Sequence, residues 1–353
     1  MADSESKRYS NIDLIKFIAI LMVIALHIPI WRWDFYQDNG KNFEIWVQYC
    51  FRLVSEGVPL FFMVNGYLLF EKELKHKKHI SKCVKLFVLF LFWATIQSIN
   101  IALVNNTEIS FSAIVNHIIT LDYPFTLWFY KYLLFIYLLF PALKVVFDTN
   151  KKCFLFLATV TLFFATSIHF FEGLNYFLEY AGIGWLKGIN SFLTDFYPLS
   201  AKGLASIAFF LLGGILNIQK NNIERRKKTW IIVGTVAWVL LCAWYTFLST
   251  IRGKAHEFFW FGNICEVFFC VGIYAISLMF NYGKMVKNIL GILGSNTNGV
   301  YLLHIIILPW IVNPFNSELL VGRFVHLLLI FAISLSVSIV LGKIPLVKRI
   351  INL

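Results

Sequence analysis

Charge is what this chain is short of. Asp, Glu, Lys and Arg make up 14% of the 353 residues, against 59% hydrophobic and 18% aromatic, a balance that excludes a water-exposed globular surface. Acidic residues are scarcer than basic ones, 19 against 31. The 6 cysteines, Cys50, Cys83, Cys153, Cys242, Cys265 and Cys270, show neither metal-type nor disulfide-type spacing and read as small apolar packing residues, with no metal site. Low-complexity tracts, internal repeats and any polar stretch long enough for a soluble domain are lacking. The first apolar segment has no small-residue cleavage site after it and is too long for a removable leader, so it is expected to stay as a helix.

What is present is a succession of apolar windows. A bilayer is crossed by about 20 mostly apolar residues, and such windows cover about 12–31, 45–70, 82–104, 126–147, 153–171, 200–218, 229–250, 258–281, 297–315 and 321–342. The expected architecture is all-α, a polytopic integral membrane protein of about ten transmembrane helices, with 1–353 forming one domain and 1–11 and 343–353 forming tails. Lys and Arg accumulate on the cytoplasmic side of membrane proteins. With the N-terminus inside, most of the 31 basic residues fall in cytoplasmic segments, while Arg32, Lys41, Lys187, Arg252, Lys254 and Arg323 are left outside. Both termini are therefore expected in the cytoplasm. The net charge of +12 follows from topology and requires no nucleic-acid partner. One connection is denser than orientation requires: EKELKHKKHISKCVK, Glu71 to Lys85, packs six lysines and two histidines. Anionic lipid headgroups suit it, as does a polyanionic molecule arriving from the cytosol.

The first span, NIDLIKFIAILMVIALHIPIW, keeps Asp13, Lys16 and His27. Eleven residues at about 100° each bring Lys16 and His27 onto one face, about 16 Å apart along the axis, with Asp13 within about 60° of the same line. Polar groups in hydrocarbon are costly and generally face a cavity or a partner. Lys16 alone reads equally as a side chain snorkelling to the surface. An imidazole some four turns in is better suited to proton transfer near neutral pH.

These residues resemble the membrane-bound acyltransferase family 3, whose signature is a basic residue, ten others and a histidine in the first helix. VPLFFMVNGYLLF (Val58 to Phe70), LWFYKYLLFIYLLFP (Leu127 to Pro141) and NGVYLLH (Asn298 to His304) are similar to further blocks of that family, in the same order across nearly the whole chain. The subfamily looks like the stand-alone sugar O-acetyltransferases, of the enterobacterial-common-antigen kind. Two departures stand out: Lys16 where arginine is usual, which keeps the charge and loses the bidentate fork, and Asn65 where serine is usual.

The resemblance implies transfer of an acyl group, usually acetyl from acetyl-CoA, to a hydroxyl of a cell-surface glycan or its lipid-linked precursor, in a bacterial plasma membrane. Its partners are then acyl-CoA, the glycan acceptor and membrane lipids. In the same terms His27 is the general base, and Lys16, Lys82 and Lys85 hold donor phosphate or pantetheine oxygens. Asp13, Asn65, Glu266, Tyr301 and His304 are supporting groups. Glu266 is a candidate to orient His27 or another imidazole; for His304, substrate contact and interhelical hydrogen bonding stay equally open. Trp128 is either an interfacial anchor or an acceptor-stacking ring. Arg52 and Glu56, four apart, are expected to neutralise each other on one helix. The aromatic connection from about Glu172 to Leu199, with Asn175, Asn190 and Asp195, is a candidate acceptor surface. The competing class is a transporter or flippase without chemistry, which ten spans and a polar stripe would also suit.

Overall fold

The computed structural model describes residues 9–28, 43–120, 127–183, 200–253, 262–312, 320–345, 347 and 351, and every regular element among them is helical. In chain order these are α1 (Ser10–His27), α2 (Phe43–Val54), α3 (Val58–Glu71), α4 (His76–Val104), α5 (Phe111–Thr120), α6 (Trp128–Thr149), α7 (Lys151–Tyr180), α8 (Ala201–Arg225), α9 (Lys227–Arg252), α10 (Ile264–Ser277), α11 (Lys284–Ile307), a 3₁₀ turn at Leu308–Trp310, and α12 (Leu320–Leu341). Among the described residues, 9 segments are long and apolar enough to cross a membrane, with α2 and α3 together forming one of them.

The eighth expected span, 258–281, holds α10, a helix of only 14 residues and about 21 Å of rise. Packing direction shows that it completes a crossing. Asp13 near the start of α1 meets Gly294 in α11, and His27 at the end of α1 meets His304 further along α11, so the two helices run parallel. An odd number of crossings must separate them, and six long segments lie between. Because α10 starts short of a full span, its first turn must find its own partners. The cap is supplied by Asn263, whose side chain accepts from Cys265 N at 2.8 Å, while Glu266 accepts from Gly262 N at 2.9 Å. Non-helical backbone is tolerated at membrane depth where protein groups satisfy it in this way.

Two belts of contacts organise the bundle. At the lysine-rich side Tyr9 OH donates to Glu71 at 2.9 Å, Lys144 to Phe70 O at 2.9 Å, and Lys227 to Leu278 O at 3.2 Å. Burial, then the Glu71 carboxylate, push the Tyr9 phenol up to about 12. At the opposite side Trp310 donates to Asn100 at 2.9 Å, Leu320 N to Glu44 at 2.6 Å, and Trp46 to Thr246 at 3.0 Å. Successive helix ends alternate between the belts, as successive crossings require.

Several expected boundaries shift. The second span breaks at Ser55–Gly57: Gly57 presses against the Ala19 carbonyl, where no side chain fits, and Pro59 opens α3 because it needs no amide partner in a first turn. The break takes Glu56 out of the helix that carries Arg52, yet the Arg52 charge still acts on the Glu56 carboxyl, and the Arg52 guanidinium also donates to Leu26 O. The basic connection from Glu71 to Lys85 is largely helix, since α4 begins at His76. The ninth span begins at Lys284 rather than 297. Ser295, Asn296 and Thr297 return their side-chain donors to carbonyls three or four residues back, which keeps the helix intact. Helix α7 runs through Asn175 to Tyr180, so the expected outer connection is partly helical; Asn190 and Asp195 lie outside the described residues. Arg323, counted with the outer connections, is buried within α12 and donates to Gln48.

Candidate active site

Helix α3 positions one wall of the site because its two faces do different work. Gly66 lies against the Phe210 carbonyl of α8, and Gly213 of α8 lies against Met63 O and Tyr67 N, too close for any side chain at either glycine. Small residues permit such backbone approach between membrane helices. The opposite face, Phe61, Val64, Asn65 and Leu68, is thereby held toward a cavity of about 440 Å³. Helices α1, α4, α6 and α11 close it with Lys16, Lys82, Tyr137 and the Gly294–Asn298 stretch among others.

The cavity is polar at one end and aromatic at the other. Lys16 Nζ stands 3.8 Å from Asp13 Oδ1, and the Asp13 carboxylate packs against Gly294, where a Cβ would overlap it. Lys82 Nζ sits 5.0 Å from the centroid of the Tyr137 ring, a cation–π distance. Tyr137 is itself fixed: its hydroxyl donates to Asn65 Oδ1 at 3.0 Å, and its carbonyl meets His79 Nε2 at 2.7 Å. Asn65 Nδ2 donates to Phe61 O at 2.9 Å, so the amide that replaces the usual serine braces the wall through both of its ends. Following each helix away from the lysine-rich side, the lining changes to Phe61, Phe129 and Tyr301. Their rings pack together, with centroids 5.4 Å apart for Phe129–Tyr301, 6.1 Å for Phe61–Phe129 and 6.2 Å for Phe61–Tyr301.

Just beyond lies a pair of imidazoles. His304 follows Tyr301 by one turn, with ring centroids 5.7 Å apart, and its Nε2 is 3.4 Å from His27 Nδ1. The partners dictate where the protons sit. His304 Nδ1 faces Val300 O at 3.2 Å, so Nδ1 carries the hydrogen and Nε2 the lone pair. His27 Nδ1 faces both Val23 O at 2.8 Å and that lone pair, so it too is the donor. By this assignment, His27 Nε2 is left with a lone pair and takes no hydrogen bond among the described residues. It is the atom suited to accept a proton.

The structure thus brings Lys16 and Lys82 to one cavity, with Asn65 and Tyr301 on its walls and Asp13 behind Lys16. His27 and His304 pair with each other past the aromatic end. Lys85 sits on α4 but is not among the lining residues. Glu266 is committed to Gly262 N, and the groups bonded to His27 are Val23 and His304. Trp128 opens α6 with Lys202 Nζ 5.5 Å from its ring and Tyr132 against its edge, outside the cavity. Sequence reasoning passes over Tyr137, Phe61, Phe129 and Asn298, all of which lie inside the quoted blocks. Asn298 joins Tyr130, whose hydroxyl donates to it at 2.6 Å, to the carbonyl of Ile351. The signal that points to it is the run of polar side chains at 295–298 within an otherwise apolar segment.

The profile of the acyltransferase domain family matches residues 9–343. With nearly the whole chain covered, the protein belongs to acyltransferase family 3 and is a membrane acyltransferase. Searches of curated proteins and of solved structures give no match.

Proposed function

We propose that this member of acyltransferase family 3 moves an acetyl group from acetyl-CoA to a hydroxyl of a cell-surface glycan or its lipid-linked precursor, in a bacterial plasma membrane, as a stand-alone sugar O-acetyltransferase. The observation that carries the reading is the order of groups along the bundle: two lysines on a cavity of about 440 Å³, Tyr301 at its aromatic end, and one turn beyond Tyr301 the His27–His304 pair. Coenzyme A is a polyanion on a long flexible arm. Lys16 and Lys82 suit its phosphate or pantetheine oxygens, and the thioester enters ahead of them.

The proposed step balances as follows. His27 Nε2 takes the proton of the acceptor hydroxyl, the alkoxide oxygen bonds to the thioester carbonyl carbon, the C–S bond breaks, and the thiolate leaves and recovers the proton from the imidazolium. His304 Nε2 and Val23 O both accept from His27 Nδ1–H, so the charge that develops on the ring meets acceptors already in place. A pure transporter needs no such pair of imidazoles with matched protonation.

The test is incubation of the purified protein with labelled acetyl-CoA and a panel of lipid-linked glycans, with mass spectrometry of the products. Wild-type protein is expected to label a glycan, and His27→Ala to lower kcat by about 10² to 10⁴-fold while eluting as the same folded species. Unimpaired transfer by His27→Ala removes the histidine from the chemistry, and donor movement across vesicles without acylated product replaces the enzyme by a transporter.

A further inference from the structure

We infer that Glu56, Lys202 and Trp128 form a sugar subsite that brings an uncharged acceptor ring to His27 from the side opposite the lysines of the cavity. The inference rests on the acetyl-transfer reading above and adds the residues that receive the acceptor. Helix register places them together. Helix α6 runs in the same direction as α3, with Phe129, Tyr137 and Lys144 against Phe62, Asn65 and Phe70 in turn. Helix α8 does the same, with Phe210 against Gly66 and Gly213 against Met63 and Tyr67. Counting back along the three helices from these contacts, away from the lysine-rich side, Trp128 and Lys202 come level with the Ser55–Gly57 break that holds Glu56. On α11 the same level follows Tyr301, whose ring meets Phe61 and Phe129, by one turn, and there stands His304 beside His27.

The contacts agree with this register. Lys202 Nζ lies 5.5 Å from the centroid of the Trp128 ring, and its charge and that of Arg52 both act on the Glu56 carboxyl. Arg52 also donates to Leu26 O, and its charge reaches the His27 imidazole. Glu56 is partly buried in non-helical backbone in the middle of a membrane-spanning segment. Broken backbone at that depth lines a cavity or is satisfied by protein, and an ionisable side chain there marks a functional site. Small-molecule sites pair apolar and aromatic surface with a few polar groups that fix orientation. Trp128 supplies the face on which a sugar ring stacks, and the Glu56 carboxyl supplies hydrogen bonds to its hydroxyls. Because Arg52 and Lys202 are both engaged with Glu56, their charge is met within the protein, which suits an uncharged ring rather than a uronic acid. Phe61, Phe129 and Tyr301 separate this level from Lys16 and Lys82, so acceptor and donor contacts are open to separate removal.

The test varies donor and acceptor independently, with purified protein, labelled acetyl-CoA, and lipid-linked hexoses, N-acetylhexosamines and uronic acids as acceptors. The labelled glycan is expected to be uncharged, and labelling confined to uronic acids overturns the subsite. Glu56→Ala is expected to raise acceptor KM by about 10- to 100-fold and Trp128→Ala by about 3- to 10-fold, each with donor KM changed by less than about 3-fold. Trp128→Phe keeps a ring and is expected to recover most of the loss. A role in packing alone lowers the unfolding temperature and either leaves acceptor KM in place or moves both KM values together; each of those results overturns the subsite and leaves acetyl transfer standing. If Glu56→Ala does not elute as folded protein, Trp128→Ala decides by the same criterion. No transfer by wild-type protein to any of these acceptors overturns the acetyl-transfer reading and the subsite with it.

Discussion

Two helix seams of this bundle are built on opposite principles. Between α3 and α8, glycines bring backbones into contact: Gly66 against Phe210, and Gly213 against Met63 and Tyr67. Between α1 and α11, polar side chains meet: Asp13 beside Gly294, Lys16 at the cavity, and His27 against His304. The first seam is close-packed, and moving either helix apart would open space in a dense interior. The second keeps groups that would be costly in hydrocarbon and holds them where they face one another or a cavity. The polar seam therefore relies on the dry one, since α3 presents its cavity face while its other face is locked against α8.

Substituting Gly213→Leu breaks that division most severely. The new side chain meets backbone atoms of α3, which cannot yield as a rotamer would, and overpacking of a core costs about 1 to 3 kcal/mol even without a backbone obstacle. The expected outcome is loss of the monodisperse peak in size-exclusion chromatography of detergent extracts. Gly294→Ala is the matched change at the polar seam, where the obstacle is the Asp13 side chain. Protein of normal elution with a weakened donor KM is expected, and equal damage from both changes would erase the contrast between the seams.

Charge removal at the cavity comes next. Lys16→Ala and Lys82→Ala each remove a charge-assisted contact worth about 1.5 to 3 kcal/mol. Donor KM is expected to rise by about 10- to 100-fold with kcat nearly unchanged. Lys16→Arg should retain most of the binding, since the charge survives. Lys85→Ala, outside the cavity wall, sharpens the comparison: its expected change is under about 3-fold, and a rise as large as that of Lys82→Ala would move the donor site toward the α4 surface.

The smallest effect belongs to Tyr137→Phe. It deletes one hydrogen bond to Asn65, worth about 0.5 to 1.5 kcal/mol, and leaves the ring beneath Lys82. A lowered unfolding temperature by differential scanning fluorimetry, with donor KM changed by less than about 3-fold, is expected. A KM change as large as that of Lys82→Ala would make the hydroxyl itself a donor contact.

Much of the framework is legible along the chain because membrane solubility is a local property: a window of apolar residues is a span wherever its neighbours are. Expectation and structure part where local composition and tertiary satisfaction disagree. The expected ninth span starts only at 297, after the polar Ser295 and Asn296, yet those side chains return their hydrogen bonds to their own helix. Val54 to Val58 reads as continuous within an apolar window, yet Gly57 is pressed onto Ala19 and the helix must stop. In the site, spacing alone places Lys16 and His27 on one face, and α1 is an unbroken helix from Ser10 to His27. That His304 Nε2 comes within 3.4 Å of His27 Nδ1 is beyond reach of any spacing argument, since 277 residues separate them.

Hydropathy and helical period act within a few turns of chain, and so the residues alone were enough to mark a helical membrane protein, its apolar candidate spans, and a lysine and a histidine on one edge of the first helix. Long-range packing set α11 parallel to α1 with a second imidazole beside the first, brought Lys82 rather than Lys85 to the cavity with Lys16, and placed three rings at its far end. Those outcomes depend on which helices approach closely, and the approach is set by glycines whose partners lie far along the chain, a relation no local pattern contains.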